Sequence, residues 1–425
     1  MASSVNPPRG MRDFLPADKA QRERVLAVIR ERYRHHGFDE IETPVVEDSS
    51  RLNAGLGGDN EKLAFGVLKR GLTVEELHVA ESTLDLVDLG LRFDLTVPLA
   101  RFYASHRAEL PSVFRSIQIA PVWRAERPQK GRYRQFVQCD IDIIGEPTIR
   151  AEAELLLATL DTLDALGLQG GTIRVNDRRL LIGMLTGFGF PEATHESVLI
   201  TIDKLDKLGP EGVIAELRGR EVAGHAVDAF EVFLRRPRAT EAEFGAEAIR
   251  GALPQGADDA VIAQLAELGE AVTAARGEAS ALEFDPFLVR GMGYYTGPIF
   301  ELAHPSVGYS LGGGGRYDGM IGRFLGSDVP ATGFSLGFER LVELVSLSDQ
   351  AEVDAVALVH DADAPLDRLL VLKARMLEQA GRVRLVQRTK NAKVLLDALA
   401  ADGFTHFAFV SATTTPEELE LRPLG

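Results

Sequence analysis

The stretch from Val113 to Gly145, "VFRSIQIAPVWRAERPQKGRYRQFVQCDIDIIG", predicts the central element of the fold. Two runs of alternating residues flank the six-residue loop "RPQKGR", which is the pattern of a long antiparallel hairpin. On the return run, polar and aromatic side chains share one face and apolar side chains share the other. The members of the polar face are Arg134, Phe136, Gln138, Asp140 and Asp142.

This face has the composition of a nucleotide site. An aromatic ring can stack on a base, and arginines beside it can donate to phosphate oxygens. A solvated sheet face with ordinary salt bridges is the alternative. The loop carries three cations and no acid, although the formal net charge of the chain is −16. A solvated surface normally mixes both signs, so the loop favours anion binding.

Length and composition describe a globular protein of several domains. The chain has 425 residues, of which 45% are hydrophobic and 26% charged. This length suggests two or three domains. Because acidic residues outnumber basic ones, 63 to 47, any contact with phosphate or RNA must come from local basic patches.

The sequence also predicts a cytoplasmic location without a membrane span. The start "MASSVNPPRGMRDFLP" contains no apolar signal core, and no apolar run reaches the length of a membrane helix. The single cysteine, Cys139, excludes an intrachain disulfide and a cysteine-built zinc site. We expect no metal ligands from the protein.

The hydrophobic pattern divides the chain into three regions. Helical spacing with little strand character extends from about Leu180 to Ala281, which suggests a helical insertion in a sheet-based domain. After about Gln350, strands alternate with helices, which is typical of a small, mostly parallel α/β domain. There, "RVRLVQRTKNAK" (Arg382 to Lys393) carries five cations and no acid. It is either an RNA-facing patch or a solvated edge.

Three further segments are candidates for a pocket. "LVRGMGYYTGPIFE" predicts a glycine-broken strand with Arg290 close to Tyr294 and Tyr295. "SLGGGGRYDG" predicts a glycine-dense loop. Since it lacks the lysine of a phosphate-binding loop, we expect it to shape a pocket rather than to bind a triphosphate. "GFSLGFERL" passes from strand into helix near Arg340, which could also be an ordinary cation on a helix surface.

These motifs resemble those of the histidyl-tRNA synthetase family, a branch of the class II aminoacyl-tRNA synthetases. "GFDEIETPVVE", the hairpin and "GFSLGFERL" resemble the three class II motifs, and "LRFDLTVPLARF" and "RGMGYYTGPIFE" are typical of the histidine branch. The resemblance implies an α+β fold with an antiparallel sheet flanked by helices. It implies a catalytic domain over residues 1–345, with the insertion at about 180–281. A short anticodon-binding-like α/β domain would follow over 350–425.

The resemblance also implies roles for individual residues. The catalytic cations would be Arg124, Arg290 and Arg340. Histidine would contact Asp94, Leu95, Thr96, Arg124, Gln138, Asp142, Arg290, Tyr294 and Tyr295. ATP would contact Arg124, Glu126, Arg132, Phe136 and Arg340. The acceptor end of the tRNA would contact Arg127, Gln129 and Arg134.

The implied activity is ligation of L-histidine to tRNA(His), with ATP as the second substrate and Mg²⁺ as cofactor. The first motif implies a homodimer. The alternative is a non-catalytic relative, the regulatory subunit of ATP phosphoribosyltransferase. Such proteins tend to lack the arginine of the "RG" segment and the basic loop, whereas this chain has Arg290 and "RPQKGR". One departure is Gly293, which stands where the family usually has Asp.

Overall fold

The computed structural model describes residues 5–53, 63–129, 131–220, 222–236, 244–277, 281–291, 293–346 and 355–424. Lys130 of the basic loop and the predicted boundary at residue 350 lie outside these ranges. The described helices are α1 Pro16–His35, α2 Ser49–Asn53, α3 Val74–Val79, α4 Thr96–His106, α5 Arg150–Ala165, α6 Arg178–Phe188, α7 His195–Ile202, α8 Leu205–Arg218, α9 Gly224–Leu234, α10 Ala246–Ala252, α11 Asp259–Arg276, α12 Asp318–Leu325, α13 Phe338–Leu341, α14 Leu366–Leu377 and α15 Ala392–Ala401.

The strands follow the same chain order. They are β1 Asp39–Glu40, β2 Val46–Asp48, β3 Phe65–Leu68, β4 Val87–Leu91, β5 Phe114–Trp123, β6 Gln135–Ile144, β7 Thr172–Asp177, β8 Leu282–Phe284, β9 Pro298–His304, β10 Val307–Arg316, β11 Ala331–Gly337, β12 Ala355–His360, β13 Arg382–Gln387, β14 His406–Val410 and β15 Arg422–Pro423. Short 3₁₀ turns cover Thr83–Leu86, Glu192–Thr194 and Pro416–Glu418.

The central sheet has the strand order β1-β5-β6-β11-β10-β9-β7-β8. The pairs β1–β5 and β7–β8 are parallel, and the pairs between β5 and β7 are antiparallel. This arrangement brings together strands that are far apart in the sequence. Helices α5, α12 and α13 lie against it. The sheet confirms the prediction of a mainly antiparallel α+β fold flanked by helices.

The predicted hairpin is confirmed, but its connection is longer than expected. β5 and β6 pair from Phe114–Ile144 to Trp123–Gln135, so the chain between them covers residues 124–134. A single bridge between Gln129 and Arg132 orders the tip. The predicted face is also confirmed for β6, because its polar side chains are buried in a cleft rather than exposed to solvent.

The glycine-dense segment was predicted to be a loop, and this was wrong. It forms β10, between β9 and β11. Missing side chains allow the strands to approach closely: a Cβ on Gly314 would lie 1.9 Å from the carbonyl oxygen of Gly333. The glycines therefore serve close packing within the sheet.

Helices α6 to α11 follow β7 and precede β8, over Arg178–Arg276. Asp177 begins this region by accepting a hydrogen bond from the amide of Arg179 at 2.8 Å. Buried aromatic rings, including those of Phe230 and Phe233, belong to one core cluster with residues of α4, β9 and α12. Helical spacing is a local signal, so the sequence predicts this region well.

The chain divides into two compact units, Met1–Arg12 with Leu26–Val345, and Asp13–Val25 with Ser346–Gly425. The second unit contains the sheet β13-β12-β14-β15, in which β12 pairs in parallel with both of its neighbours. Apolar clusters cover both faces of this sheet. In the first unit, a small antiparallel sheet has the order β2-β4-β3. No helix in the described ranges combines the length and apolar character needed to span a bilayer.

Candidate active site

A cleft of about 530 Å³ opens in the first unit. Its walls come from the hairpin, the neighbouring strands β10 and β11, the start of α4 and the segment that precedes β9. Thirteen of the predicted site residues line it: Asp94, Thr96, Arg124, Glu126, Arg127, Arg132, Phe136, Gln138, Asp142, Arg290, Tyr294, Tyr295 and Arg340. The structure therefore brings together segments separated by up to some 250 residues of sequence.

Three predicted residues lie outside the lining. Leu95 precedes α4 with a fully buried side chain, and its carbonyl accepts a hydrogen bond from Gln118 at 3.0 Å. Gln129 is exposed at the tip of the hairpin. Arg134 precedes β6 and donates from Nε to the carbonyl of Glu126 at 3.0 Å, so it braces the loop.

Two buried oxygen acceptors of the cleft have no hydrogen-bond partner among the described residues. They are Oδ2 of Asp94 and Oε1 of Gln138. The other oxygen of Asp94 accepts from the amide of Val97 at 3.2 Å, and this bond fixes the carboxylate at the start of α4. Burial raises the pKa of Asp94 to about 6, although the Val97 bond and the charge of Arg124 lower it. Unpaired buried acceptors are costly, so they indicate a ligand that donates hydrogen bonds.

The amide nitrogen of Gln138 fixes the orientation of that side chain. It donates to the hydroxyl of Ser335 at 3.0 Å and lies 3.3 Å from a carboxylate oxygen of Asp140. Burial raises the pKa of Asp140 well above its usual value, and the nearby Asp142 raises it further. The donors of Gln138 are thus occupied within the protein, and its carbonyl oxygen is left for a ligand.

A second polar group lies around Asp142. The hydroxyl of Tyr317 donates to Oδ1 of Asp142 at 2.6 Å. Burial raises the pKa of Asp142 to about 7, against the lowering effect of this hydrogen bond. The rings of Tyr294 and Tyr295 lie 4.7 Å apart, and Tyr294 meets Tyr317 edge-on at 6.1 Å. These groups form a small aromatic recess with a carboxylate at its wall.

Arginines also line the cleft. Arg124 donates from Nε to the carbonyl of Phe93 at 3.0 Å, and its guanidinium lies 5.0 Å from the centre of the Phe136 ring. Arg340 is held by the carbonyls of Gly131 and Ser310, at 3.1 and 2.7 Å. Burial lowers the pKa of Arg340, and repulsion from Arg132 lowers it further. An anion between these cations would relieve the repulsion.

Arg290 does not lie on a strand, so the prediction of a glycine-broken strand at this point was wrong. β9 begins only at Pro298, and the chain before it is irregular. This irregular path lets both Tyr294 and Tyr295 line the same cleft, which a regular strand would forbid. Nη1 of Arg290 donates to Glu301 at 3.1 Å.

The sequence did not identify several residues that complete the cleft. They are Asp203, Glu301, Ser335 and Tyr317, and Asp140 was placed only on the polar face of the hairpin. Alternation along "PIFELA" and "ATGFSLG" could have placed Glu301 and Ser335 on the buried polar face of the sheet. No local pattern identifies Asp203, because it lies in a turn between two helices of the insertion.

The arrangement can bind a zwitterion and a polyanion side by side. The acceptors of Asp94 and Gln138 suit an ammonium group, and the arginines suit a carboxylate and phosphates. The ring of Phe136 beside Arg124 offers a stacking surface for a base. An amino acid and a nucleoside triphosphate have these groups.

Comparisons with known proteins agree with this chemistry. The family model described as "Histidyl-tRNA synthetase" matches residues 10–341. A protein from Leifsonia xyli subsp. xyli, named "Histidine--tRNA ligase", is 61% identical over 100% of this chain and 99% of its own. One of the same name from Aeropyrum pernix is 38% identical over 93% of this chain and 90% of its own.

Two solved structures have a fold similar to that of this chain. A histidyl-tRNA synthetase from Nostoc sp. PCC 7120 has a TM-score of 0.77 and 23% identity, over 100% of this chain and 95% of its own. An "ATP phosphoribosyltransferase regulatory subunit/histidyl-tRNA synthetase" from Bacillus halodurans has a TM-score of 0.74 and 21% identity, over 97% and 100%. At these identities the likeness confirms the class II fold alone. From the family match and the full-length relatives, the chain belongs to the histidyl-tRNA synthetase family.

Proposed function

We propose that the protein is a histidine–tRNA ligase. The carboxylate of L-histidine attacks the α-phosphorus of ATP, pyrophosphate leaves, and histidyl-adenylate forms. The terminal 3′-hydroxyl of tRNA(His) then attacks the carbonyl carbon of the adenylate, and AMP leaves. The observation that carries the proposal is the pair of unpaired acceptors, Asp94 Oδ2 and Gln138 Oε1, in one cleft with Arg124, Arg290 and Arg340.

The first step follows from fixed charge. The histidine carboxylate is already ionised, so the attack needs no general base. Negative charge grows on the α-phosphate oxygens, and guanidiniums held in place beforehand stabilise it. Arg124 and Arg340 are held by backbone carbonyls, which keeps their charges in position before the substrate arrives. We assign Arg124 and Arg290 to the reacting groups and Arg340 to the far end of a bent triphosphate.

Adenine recognition is proposed for the hairpin. Phe136 would stack on the base, and Glu126 and Arg132, whose charged groups lie 3.6 Å apart, would stand beside it. Arg127, Gln129 and Arg134 are proposed to meet the acceptor end of the tRNA. The exposure of Arg127 and Gln129 supports this role, whereas Arg134 is partly buried and would act chiefly by bracing the loop.

Histidine recognition is proposed for the aromatic recess. The α-ammonium would donate to Asp94 and Gln138, with Thr96 nearby, and the imidazole would meet Asp142, Tyr294 and Tyr295. Selectivity comes from polar pairing, because an apolar side chain of similar size would give Asp142 no hydrogen bond in place of the one from the imidazole. Discrimination of this kind can reach about 10⁴ to 10⁵ without editing. Leu95 would contribute only through its backbone, since its side chain is buried away from the cleft.

Mg²⁺ is proposed to enter with the triphosphate. The described residues contain no group of three or more His, Cys, Asp or Glu side chains arranged to hold a metal ion. Phosphate oxygens and water would therefore supply most of its ligands, as is usual for Mg²⁺. When bound, the ion would neutralise part of the phosphate charge.

A cytoplasmic homodimer is also proposed. Large apolar side chains are exposed along residues 45–89, on and around the small sheet β2-β4-β3: Val45, Val46, Val67, Leu68, Val74, Leu77, Val79, Leu84 and Leu89. Exposed apolar side chains on and around one small sheet support an interface there. Sedimentation at micromolar concentration should give a mass near twice 46.2 kDa.

The domain roles are proposals as well. Residues 1–345 would carry adenylation, with the helices over about 180–281 as an insertion. Residues 350–425 would bind the anticodon region. The cations of "RVRLVQRTKNAK" support this role, since Arg382, Arg384 and Arg388 are all exposed.

The alternative is a histidine-sensing regulatory subunit of ATP phosphoribosyltransferase. The Bacillus halodurans protein is described both as such a regulatory subunit and as a histidyl-tRNA synthetase, so the fold likeness to it fits either function. The full-length relatives favour the ligase. The deciding experiment is exchange of radiolabelled pyrophosphate into ATP. A ligase exchanges only with histidine present and also charges tRNA(His), and a protein that does neither is not a ligase.

A further inference from the structure

Arg290 lies against a row of residues that crosses three strands. Arg174 on β7 stands directly opposite Glu301 on β9, and Glu301 stands opposite Gly313 on β10. Oε2 of Glu301 accepts a hydrogen bond from Arg290 at 3.1 Å, and its Oε1 lies 3.8 Å from Nη1 of Arg174. One carboxylate is therefore shared by two guanidiniums.

The glycine in this row makes room for the guanidinium. A Cβ on Gly313 would lie 2.8 Å from Cζ and from Nη1 of Arg290. No ordinary side chain could occupy that space without displacing Arg290. The sheet therefore supplies both a hydrogen-bond partner for Arg290, Glu301, and the space that its guanidinium occupies beside Gly313.

The helical insertion comes close to the segment that carries Arg290. Asp203 directly follows α7 and lines the cleft. Its Oδ2 would lie 3.8 Å from a Cβ on Gly291, the residue next to Arg290. Burial raises the pKa of Asp203, and the charge of Arg290 is the largest effect that opposes this rise. Three residues later, Asp206 lies 3.3 Å from Arg174.

The segment that carries Arg290 also packs on the insertion. The ring of Phe287 lies 6.0 Å from that of Phe230 and 5.5 Å from that of Phe233, both on α9. Between Asp285 and Glu301 the sequence contains no acidic residue. Within its own segment, Arg290 thus has no carboxylate to orient it, and the nearest ones come from β9 and from the insertion.

We propose that Asp203 is a positioning residue for Arg290, so that the helical insertion takes part in amino-acid activation. Glu301 binds the guanidinium from the sheet, and the charge of Asp203 attracts it from the turn between α7 and α8. This inference rests on the proposed ligase activity. An arginine side chain has many rotamers, and two fixed carboxylates select the one that faces the reacting groups.

The test replaces Asp203 in the full-length protein. We expect Asp203→Asn to lower kcat of histidine-dependent pyrophosphate exchange about tenfold, because a small misplacement of a catalytic group slows the chemical step. KM for histidine and for ATP should change less than about threefold. Asp203→Glu keeps the charge and should recover most of the rate. The matched control is Asp228→Asn, an exposed carboxylate on α9 of the insertion, which should leave the rate unchanged.

A double-mutant cycle shows whether Asp203 acts through Arg290. If it does, Asp203→Asn should add less than about twofold to the loss caused by Arg290→Lys. Three outcomes would overturn the inference. The losses of the two single variants could multiply in the double variant, the rate could be unchanged in Asp203→Asn, or Asp203→Asn and Asp203→Glu could lose equal activity. In each of these cases the wild-type protein still exchanges pyrophosphate, whereas failure of the proposed function itself would appear as no exchange in the wild type.

Discussion

At the scale of single residues, the burial of Asp94 in the cleft should make the binding of histidine depend on pH. An ammonium group binds a carboxylate only when the carboxylate is ionised, and burial raises the pKa of Asp94 to about 6. Below that pH a proton competes with histidine for the same oxygen. The group is ionised and ready for histidine at neutral pH.

We therefore expect KM for histidine to rise as the pH falls below about 6, with little change between pH 7 and 8. Asp94→Asn should raise KM about 10- to 100-fold at pH 7.5, the usual effect of losing one charged hydrogen bond, and should flatten the profile. Pyrophosphate exchange at saturating ATP measures both. A wild-type KM that stays constant from pH 5 to 8 would exclude Asp94 as the ammonium partner.

Asp142 predicts an effect on stability. Burial raises its pKa to about 7, so the folded state prefers the protonated form. In the unfolded chain the pKa of an aspartate is about 4. Asp142 therefore makes its full contribution to the free energy of unfolding below pH 4, and this contribution is lost as the pH rises through 7. Asp142→Asn should thus increase the free energy of unfolding by roughly 1–3 kcal/mol at pH 8 and by less at pH 5. Urea denaturation at both pH values measures this, and an equal change at both would contradict it.

At the scale of elements, the cleft depends on strands that lack side chains. A Cβ on Gly333 of β11 would lie 1.9 Å from Oδ1 of Asp142 and 3.3 Å from the carbonyl of Ile141. Alanine there must displace the carboxylate that faces the recess. A Cβ on Gly319 of α12 would have no heavy atom within 4 Å, so Gly319 is a matched control.

Gly333→Ala should lower kcat/KM for histidine about 100-fold, since the shift needed is on the order of 1 Å. Gly319→Ala should stay within about twofold of the wild type. The two variants differ in position rather than in chemistry, so comparable losses in both would argue against close packing as the cause. Steady-state exchange kinetics and thermal melting of both proteins make the comparison.

Local periodicity explains what the sequence could predict. The alternation of Phe136, Gln138 and Asp142 is a property of one strand, and it placed them correctly on one face of β6. The glycines of β10 looked like a loop, because glycine alone does not distinguish a turn from a strand packed closely between two others. Glu301 and Asp203 were missed since their contacts with the Arg290 segment depend on sheet order and on the turn between α7 and α8.

At the scale of the whole molecule, substitutions should be able to weaken tRNA binding without affecting adenylation. The cleft proposed for adenylation lies within the first unit, and the cations of β13 and of the chain after it belong to the second. Arg384 forms an ion pair with Asp402 at 2.7 Å, whereas Arg388 lies 3.5 Å from Asp361. Arg388, Lys390 and Lys393 are therefore the better candidates for weak contacts with RNA phosphates.

Replacing Arg388, Lys390 and Lys393 together by alanine should raise KM for tRNA(His) about tenfold or more and leave pyrophosphate exchange unchanged. The control removes the same charge from α14, at Arg368, Lys373 and Arg375. Aminoacylation at two salt concentrations measures the effect. Equal losses in both triple variants would point to net charge, and a loss of exchange would point to folding.

We expect one cleft to hold histidine by Asp94 and Gln138 and to hold ATP by Arg124 and Arg340. A crystal structure with histidine and a non-hydrolysable ATP analogue would show whether it does. In that crystal structure, the ammonium should lie within hydrogen-bond distance of Asp94 Oδ2 and Gln138 Oε1, the base should stack on Phe136, and the phosphates should lie between the two arginines. Ligands bound elsewhere, or arginines turned away from an empty cleft, would contradict it.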